Sequence, residues 1–346
     1  MTLNKKLIKG MSWDELQLWC LDVGESKYRG QQLYEWMYRH GISSFGKMSN
    51  INKSFCEYLE NNCILNTLTI QNFSESKVDR SIKILFSTLD GNLIETVSMI
   101  DGNRHTVCIS SQAGCALDCD FCDTGKIGLK RNLSTGEIVD QLIFARGYKA
   151  SFPITNVVFM GMGEPFHNYA NVIAAADIFH SPKGFNLASS RITISTVGIL
   201  PKIKQFILEK KKYKLAISLN AVEDISRNQI MPINKKWSIS DIIKAGKEYS
   251  KIKNRQVMFE YVLLKDINDS EEDAYKLSKL LKGIPCKINL IPYNEGASVY
   301  ERPSNESIAK FSEILYSNRN TYRVLVRWSK GQDINAGCGQ LAAEKV

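Results

Sequence analysis

The sequence has no long hydrophobic run, and no stretch of its 346 residues approaches the roughly 20 consecutive apolar residues of a membrane-spanning helix. Its N-terminus lacks the apolar core and small-residue cleavage site of a secretory signal peptide. Histidine is scarce, and none of the four residues lies at a spacing typical of metal ligands. These absences argue against a membrane-spanning or secreted protein, and we expect a cytoplasmic one.

Acidic residues are in the minority, because 36 Asp and Glu face 45 Lys and Arg, for a formal net charge of +9. Such a surplus raises the local concentration of polyanions such as RNA. An ordinary basic enzyme has the same balance, so the charge alone leaves both interpretations open.

Nine cysteines are present, and this odd number indicates a reducing compartment rather than a disulfide framework. Cys115, Cys119 and Cys122 form a CxxxCxxC spacing directly after a predicted strand. Three thiolates on one loop can bind three irons of a [4Fe-4S] cluster and leave the fourth free to chelate S-adenosylmethionine (SAM), whose reductive cleavage gives a 5′-deoxyadenosyl radical. The alternative is a structural zinc site with Cys108 as a fourth ligand, although no second cysteine pair is present.

After residue 105, apolar segments typical of strands alternate with segments of helical periodicity. This pattern predicts an α/β fold, an open (β/α)6 partial TIM barrel. A capping signal at Ser12 and apolar residues at helical spacing predict a small helical domain before it. Asp90-Gly91 between two alternating segments predicts a linking β-hairpin. The predicted order is helical domain, hairpin linker, barrel core, and C-terminal strand with tail, at residues 1–64, 65–104, 105–320 and 321–346.

Four longer motifs span most of the chain: CISSQAGC at 108–115, GMGEP at 161–165, MPIN at 231–234 and DINAGCGQL at 333–341. Together they resemble the radical-SAM rRNA adenine methyltransferases of the RlmN and Cfr type. The resemblance implies a radical-SAM barrel, an RNA-binding role for the helical domain, a [4Fe-4S] cluster on the three clustered cysteines, and two SAM molecules per turnover.

The resemblance also implies a mechanism that uses two cysteines outside the cluster. Cys338 would accept a methyl group from one SAM, and the radical from the second would remove a hydrogen atom from that methyl group. The methylene radical would then add to an adenine ring carbon, which is not a nucleophile and resists simple methyl transfer. Cys108 would release the RNA by forming a transient disulfide with Cys338.

Other positions match further site residues of the family. Glu95 matches a general base that removes the ring proton, and a solvated strand carboxylate is the alternative. Asn220 stands where members usually carry histidine, and it keeps a hydrogen-bonding group without an ionisable one. The resemblance implies cofactor contacts at Gly163, Glu164, Ser195, Ser218, Leu219, Asn220 and Asn294.

The implied reaction is methylation of carbon 2 of an adenosine in 23S rRNA, with a tRNA anticodon loop left open as a second substrate. An electron donor such as flavodoxin or ferredoxin is expected, and the chain is expected to be a monomer without membrane association. Basic residues of the helical domain and the loops are candidate phosphate contacts, namely Lys5, Lys6, Arg29, Lys126, Lys130 and Arg131.

Three alternatives stay open at the level of the sequence. A carbon-8 methyltransferase of the Cfr type, which confers antibiotic resistance, would use the same cluster and cysteines; residues 281–292 and the tail favour carbon 2, whereas residues 124–130 favour carbon 8. A zinc-containing RNA-binding module would be non-catalytic. A radical-SAM enzyme acting on a protein or small molecule would share the barrel.

Overall fold

The structure is a computed structural model that describes residues 5–148, 152–252, 255–318 and 322–343. Its N-terminal part is a helical module. The first helix begins after Ser12, whose hydroxyl accepts a hydrogen bond from the Glu15 amide (3.3 Å) while the Glu15 carboxylate accepts one from the Ser12 amide (2.7 Å). The elements of the module are β1 (Lys6–Leu7), α1 (Trp13–Asp22), α2 (Lys27–Tyr34), a π-helical segment (Glu35–His40), a 3₁₀ turn (Phe45–Lys47), α3 (Lys53–Asn62) and β2 (Cys63–Ile64).

A buried ion pair joins this module to the rest of the chain. Lys9 Nζ lies 2.9 Å from Asp140 Oδ1, and both side chains are 0% exposed. The other oxygen of Asp140 accepts hydrogen bonds from the Thr67 amide (2.6 Å) and hydroxyl (2.7 Å). Because a buried charge is tolerated only with its partner in place, this pair fixes the position of the module.

Three antiparallel strands follow, where the sequence predicts a two-stranded hairpin. The expected turn is present, since the Thr88 amide donates to the Asn92 carbonyl oxygen (2.9 Å) and Gly91 has a φ of 83°. One more strand precedes the hairpin. The third of the three strands also pairs with the first strand of the barrel, so all three strands extend the barrel sheet. The strands are β3 (Leu68–Glu75), β4 (Ile82–Thr88) and β5 (Leu93–Asp101).

The strands after β5 form the predicted (β/α) barrel. β6 is antiparallel to β5, and from β6 onward the large sheet is parallel. The strands, including the short pair β7–β8, are β6 (Arg104–Cys108), β7 (Gln112–Ala113), β8 (Arg131–Asn132), β9 (Asn156–Phe159), β10 (Ile192–Thr196), β11 (Lys214–Ser218), β12 (Val257–Leu263), β13 (Cys286–Pro292) and β14 (Tyr322–Val326). Ten strands form the sheet in the order β14-β13-β12-β11-β10-β9-β6-β5-β4-β3, which is open and confirms the predicted fold class.

Helices lie between the parallel strands and cover the sheet. The helix after Ser134 begins with a capping box, because the Ser134 hydroxyl accepts from the Glu137 amide (3.3 Å) and the Glu137 carboxylate accepts from the Ser134 amide (2.8 Å). The helices are α4 (Asp123–Ile127), α5 (Thr135–Tyr148), α6 (Tyr169–His180), α7 (Leu200–Leu208), α8 (Asp224–Ile230), α9 (Ile239–Ser250), α10 (Glu271–Leu280) and α11 (Asn305–Ser317).

Two further predictions concern the tail and the membrane. The expected boundary between core and tail, at residues 320 and 321, lies outside the described residues. Within the described ranges, no helix is both long and apolar enough to cross a membrane. The loops that follow the C-terminal ends of the parallel strands lie at one end of the barrel, where such folds place their chemistry.

Candidate active site

The three clustered cysteines lie on the loop that follows β6. All three line one cavity, whose empty volume, open mouth included, is about 970 Å³. Cys119 and Cys122 share a turn closed by a 3.1 Å bond between their backbones, and the Asp120 amide donates to the Ile230 carbonyl oxygen (3.0 Å) at the end of α8. Burial raises the pKa of the Cys115 thiol to about 12, so the thiolate forms are disfavoured without a bound cation.

This cofactor cavity fits a cluster and SAM. Its thiols are the soft ligands that iron-sulfur clusters require. Among the described residues, no three His, Cys, Asp or Glu side chains surround a single point as the ligands of one metal ion would, whereas in a cubane each cysteine binds its own iron. Glu260 is 3% exposed, and its Oε1 atom lacks a hydrogen-bond partner in the described part of the chain. That oxygen is free to accept from a donor group of a bound cofactor.

The GMGEP turn forms one wall of the cofactor cavity. Gly163 has a φ of 94°, and a Cβ there would lie 2.4 Å from the Cβ of Gln112, so this backbone tolerates glycine alone. The buried carboxylate of Glu164 accepts hydrogen bonds from the amides of Phe166 and Val197 (both 2.9 Å). Burial raises the pKa of Glu164 to about 7 despite these bonds.

Of the cofactor contacts predicted at the ends of β10 and β11, three residues line the cofactor cavity and one does not. Ser195 and Ser218, at the ends of β10 and β11, line the cofactor cavity. Asn220 also lines it, and its φ is 57°. Its side-chain oxygen accepts a hydrogen bond from the Val262 amide (2.9 Å), so this oxygen already stabilises the neighbouring backbone. Leu219 is 0% exposed and lies in the hydrophobic core instead of the cavity.

A buried arginine supports these strand ends and was not singled out from the sequence. Arg227 is 0% exposed, and its guanidinium donates to the carbonyl oxygens of Val197 (2.7 Å), Ser218 (2.9 Å) and Leu219 (2.8 Å). A fourth bond, 2.8 Å long, goes to Oδ1 of Asn234, the last residue of the MPIN motif. The motif therefore holds a side chain that fixes two backbone segments, the one that follows β10 and the one at the end of β11.

The C-terminal tail passes beside the cluster loop and carries Cys338 into the cavity. The Asp123 amide donates to the Gly339 carbonyl oxygen (2.8 Å), and the Thr124 hydroxyl donates to that of Leu341 (2.6 Å). Asn294 Nδ2 donates to the carbonyl oxygen of Cys338 (3.1 Å). In this structure Asn294 therefore holds the tail and does not line the cofactor cavity, where a SAM contact was expected.

Cys338 lies where two cavities meet. It lines the cofactor cavity and also a second cavity, which Cys108 lines as well. The Cys338 side chain is exposed to this interior space yet enclosed by protein, and burial raises the pKa of its thiol to about 12. Burial raises the pKa of Cys108 to about 11, and the nearby Arg327 lowers both values.

Glu95 lies on β5, outside the lining of both cavities. Its side chain is 3% exposed, so it is not the solvated carboxylate that was the alternative to a general base. Lys83 Nζ lies 3.1 Å from its Oε1, and the Ala343 amide donates to its Oε2 (3.0 Å). The carboxylate thus connects β4, β5 and the tail.

Comparison with known proteins agrees with this geometry. Residues 109–278 match the model of the radical SAM superfamily, and residues 7–65 match that of the ribosomal RNA large subunit methyltransferase N-terminal domain. The dual-specificity RNA methyltransferase RlmN of Desulfotalea psychrophila is 39% identical over 100% of this chain and 98% of its own. The chain belongs to the RlmN family. A probable RlmN of Clostridium beijerinckii is 42% identical over 95% of this chain and 92% of its own.

A solved structure extends the match to three dimensions. The radical SAM methyltransferase from Sphaerobacter thermophilus superimposes with a TM-score of 0.94 at 39% identity, covering 98% of this chain and all of that one. The predicted family, enzyme class and cofactors are confirmed: the chain is a SAM-dependent RNA methyltransferase that uses radical chemistry, a [4Fe-4S] cluster and SAM.

Several of the predicted phosphate contacts are engaged within the protein. Arg131 donates to both carboxylate oxygens of Asp90 (2.6 Å each) and to Glu137 Oε1 (2.7 Å). Lys126 pairs with Asp120. Their charges are therefore largely compensated, which makes them weaker candidates for RNA binding than the sequence suggested.

Proposed function

We propose that this enzyme methylates carbon 2 of an adenosine in 23S rRNA, and the corresponding position of a tRNA anticodon loop, with Cys338 as the methyl carrier. The full-length similarity to RlmN relatives supports the reaction. The observation that carries the role of Cys338 is its position between two cavities, one containing the cluster cysteines and the other containing Cys108.

The placement of Cys338 allows one sulfur to serve both halves of the reaction. From the cofactor cavity its thiol is accessible to the methyl group of SAM. The S–CH₃ bond forms as the bond between that methyl group and the sulfonium breaks, which releases S-adenosylhomocysteine and the thiol proton. Cys115, Cys119 and Cys122 would hold the cluster, which would supply the electron for cleavage of a second SAM to a hydrogen-abstracting radical. On the side of the second cavity, the same methyl group is accessible to an adenine base extruded from the RNA.

Cys108 is placed to complete the cycle. Addition of the methylene radical to carbon 2 leaves an adduct radical, which must lose the carbon-2 proton and one electron to restore the aromatic ring; a cluster on the three cysteines would accept that electron. The base then remains attached to Cys338 through a methylene group. The Cys108 thiolate attacks the sulfur of Cys338, the S–S bond forms, and the S–CH₂ bond breaks so that the methylene carbon takes a proton and becomes the methyl product. Restoring the two thiols needs two electrons and two protons from an external thiol or protein reductant. An electron donor of the flavodoxin or ferredoxin class is proposed for the cluster.

Glu95 has two candidate roles. The family position assigns it to removal of the proton from carbon 2. Its contacts with Lys83 and Ala343 support a second role, anchoring the tail that carries Cys338. We propose the anchoring role for this chain, and the base role stays a prediction.

The direct test is an anaerobic assay of the reconstituted protein with SAM, a reductant and protein-free 23S rRNA, followed by nucleoside mass spectrometry. We expect 2-methyladenosine. A peak of 8-methyladenosine would overturn the assignment to carbon 2. SAM cleavage without either nucleoside would overturn the RNA substrate.

Two variants test the cysteines separately. Cys338→Ala should abolish RNA methylation while leaving the cluster spectrum unchanged, because no cluster ligand is altered. Cys108→Ala should instead accumulate a covalent protein-RNA adduct, visible as a band that survives denaturation and disappears on nuclease digestion. Normal turnover by either variant would contradict the role proposed for that cysteine.

A further inference from the structure

Basic residues lie at the end of the second cavity that is formed by the N-terminal ends of the barrel strands. Along β6, the alternate residues Arg104, Thr106 and Cys108 all line this cavity, as expected when every second side chain of a strand faces the barrel interior. The strand therefore leads from a basic residue at its N-terminal end to the reactive thiol at its C-terminal end.

Three other strands have a basic residue at the same end, although these residues do not themselves line the cavity. Thr193 lines the second cavity, and Arg191 precedes it by two residues; Lys214 pairs in register with Thr193 on the neighbouring strand. On β13, Asn289 lines the cavity and Lys287 precedes it by two residues. We name Arg104, Arg191, Lys214 and Lys287 the basic rim.

Electrostatic interactions show that the members of the basic rim are close to one another. Burial lowers the pKa of Lys214, and the charges of Lys287, Arg104 and Arg191 lower it further. Likewise, burial lowers the pKa of Arg104, and Arg327 and Arg191 add to the effect. Like charges brought together in this way destabilise the protein unless an anion binds them.

The charges of the rim are poorly compensated within the described ranges of the chain. Arg104 Nε donates to the Thr106 hydroxyl (3.2 Å), and Arg191 Nη1 donates to Asn156 Oδ1 (3.4 Å), so both partners are neutral. Asp101 attracts Arg104, but its own carboxylate is paired with Lys330 at 3.1 Å. This contrasts with Arg131, which binds two carboxylates.

We propose that the basic rim binds backbone phosphates next to the target nucleotide, and that the base enters through the second cavity toward Cys338. The inference rests on the proposed function. SAM and the cluster belong to the cofactor cavity, so the base needs the other approach to this sulfur. Trp328 lines the second cavity and is 50% exposed, with the Arg302 guanidinium 4.8 Å from the centre of its ring. Aromatic rings and arginine guanidinium planes both stack on extruded bases, so this pair suits a base at the cavity.

The test compares three double variants, each of which removes two positive charges. Arg104→Gln/Arg191→Gln alters the exposed half of the rim, and Lys214→Gln/Lys287→Gln alters its partly buried half. The matched control is Lys244→Gln/Lys247→Gln, whose residues are exposed on α9. Binding of a tRNA transcript and of a 23S rRNA fragment is measured by fluorescence anisotropy between low and moderate salt.

Removing two phosphate contacts should weaken RNA binding and reduce the slope of log Kd against log salt by about 1.4 to 1.8. The control should leave the slope unchanged. SAM-dependent methylation of Cys338 in the absence of RNA and the cluster absorbance report on folding and should match wild type in all variants.

Unchanged RNA binding and slope in both rim variants would overturn the inference, as would an equal effect of the control. A rim that instead binds an acidic electron donor would show slower cluster reduction by flavodoxin with RNA binding intact, which also overturns it. Failure of the wild-type enzyme to form a methyladenosine would contradict the proposed function, whatever the binding slopes show.

Discussion

Substitution of Glu95 tests how much one carboxylate contributes to holding the tail that carries Cys338. Glu95→Ala removes the acceptor of the Ala343 amide and the partner of Lys83. A hydrogen bond to a charged group contributes about 1.5–3 kcal/mol. A loss of about 2 kcal/mol lowers the ratio of docked to undocked tail roughly 30-fold, since 1.4 kcal/mol is tenfold.

Hydrogen-deuterium exchange of the peptide spanning residues 332–343 measures this ratio. If exchange requires undocking, protection in Glu95→Ala should fall by the same factor. Glu95→Gln keeps a neutral oxygen that can accept from the Ala343 amide, so the protection of the tail peptide should lie between those of wild type and Glu95→Ala. If the loss in tail docking is at most about 1.4 kcal/mol, RNA methylation should stay within about tenfold of wild type.

The two roles of Glu95 give different results in the glutamine variant. Loss of a general base slows a reaction about 10²- to 10⁴-fold, and glutamine cannot act as a base. Methylation reduced that far in Glu95→Gln, with tail protection near that of wild type, would assign proton removal to this residue. Unchanged tail exchange in Glu95→Ala would refute the anchoring role directly.

Three further substitutions test the framework of the site. Asp140→Ala leaves Lys9 charged and buried, so urea denaturation should show a loss of about 3–5 kcal/mol, much of which Lys9→Met/Asp140→Leu should recover. Gly163→Ala should weaken SAM binding in a titration, because its Cβ would collide with Gln112; unchanged affinity would contradict the tight turn. Arg227→Met leaves three carbonyl oxygens without their donor, and the one in a fully buried bond costs about 1–3 kcal/mol, so the midpoint of thermal unfolding should fall; a normal midpoint would contradict this.

The parts of the fold that depend on local sequence were predictable. Each parallel strand is a short apolar run bounded by turn residues, and the capping boxes at Ser12 and Ser134 use residues three positions apart. The cysteine loop was predictable for the same reason, because its three ligands lie within eight residues. The extension of the barrel sheet by β3–β5 was missed, since pairing of β5 with β6 depends on the whole sheet.

Contacts between distant segments could not be predicted from one sequence. Glu95 and Ala343 are 248 residues apart, and nothing near either residue identifies the other. Asn294 was predicted to contact the cofactor, and its bond to the carbonyl oxygen of Cys338, 44 residues away, was not indicated by the sequence near either residue. Arg227 was overlooked because a single arginine on a short helix is usually a surface residue. Its burial follows from three carbonyl groups on two separate segments, after β10 and at the end of β11, that accept hydrogen bonds from its guanidinium.

The continuity of the large sheet restricts how this protein can be dissected. Excising residues 105–320 as an autonomous domain would strip β5 from β6 and expose an unpaired edge strand, a template for aggregation. The same cut would remove Lys83 and Glu95, which contact Asn335 and Ala343 at the opposite end of the chain. Truncation and circular permutation should therefore be planned with β3–β5 and the tail as one inseparable unit with the barrel.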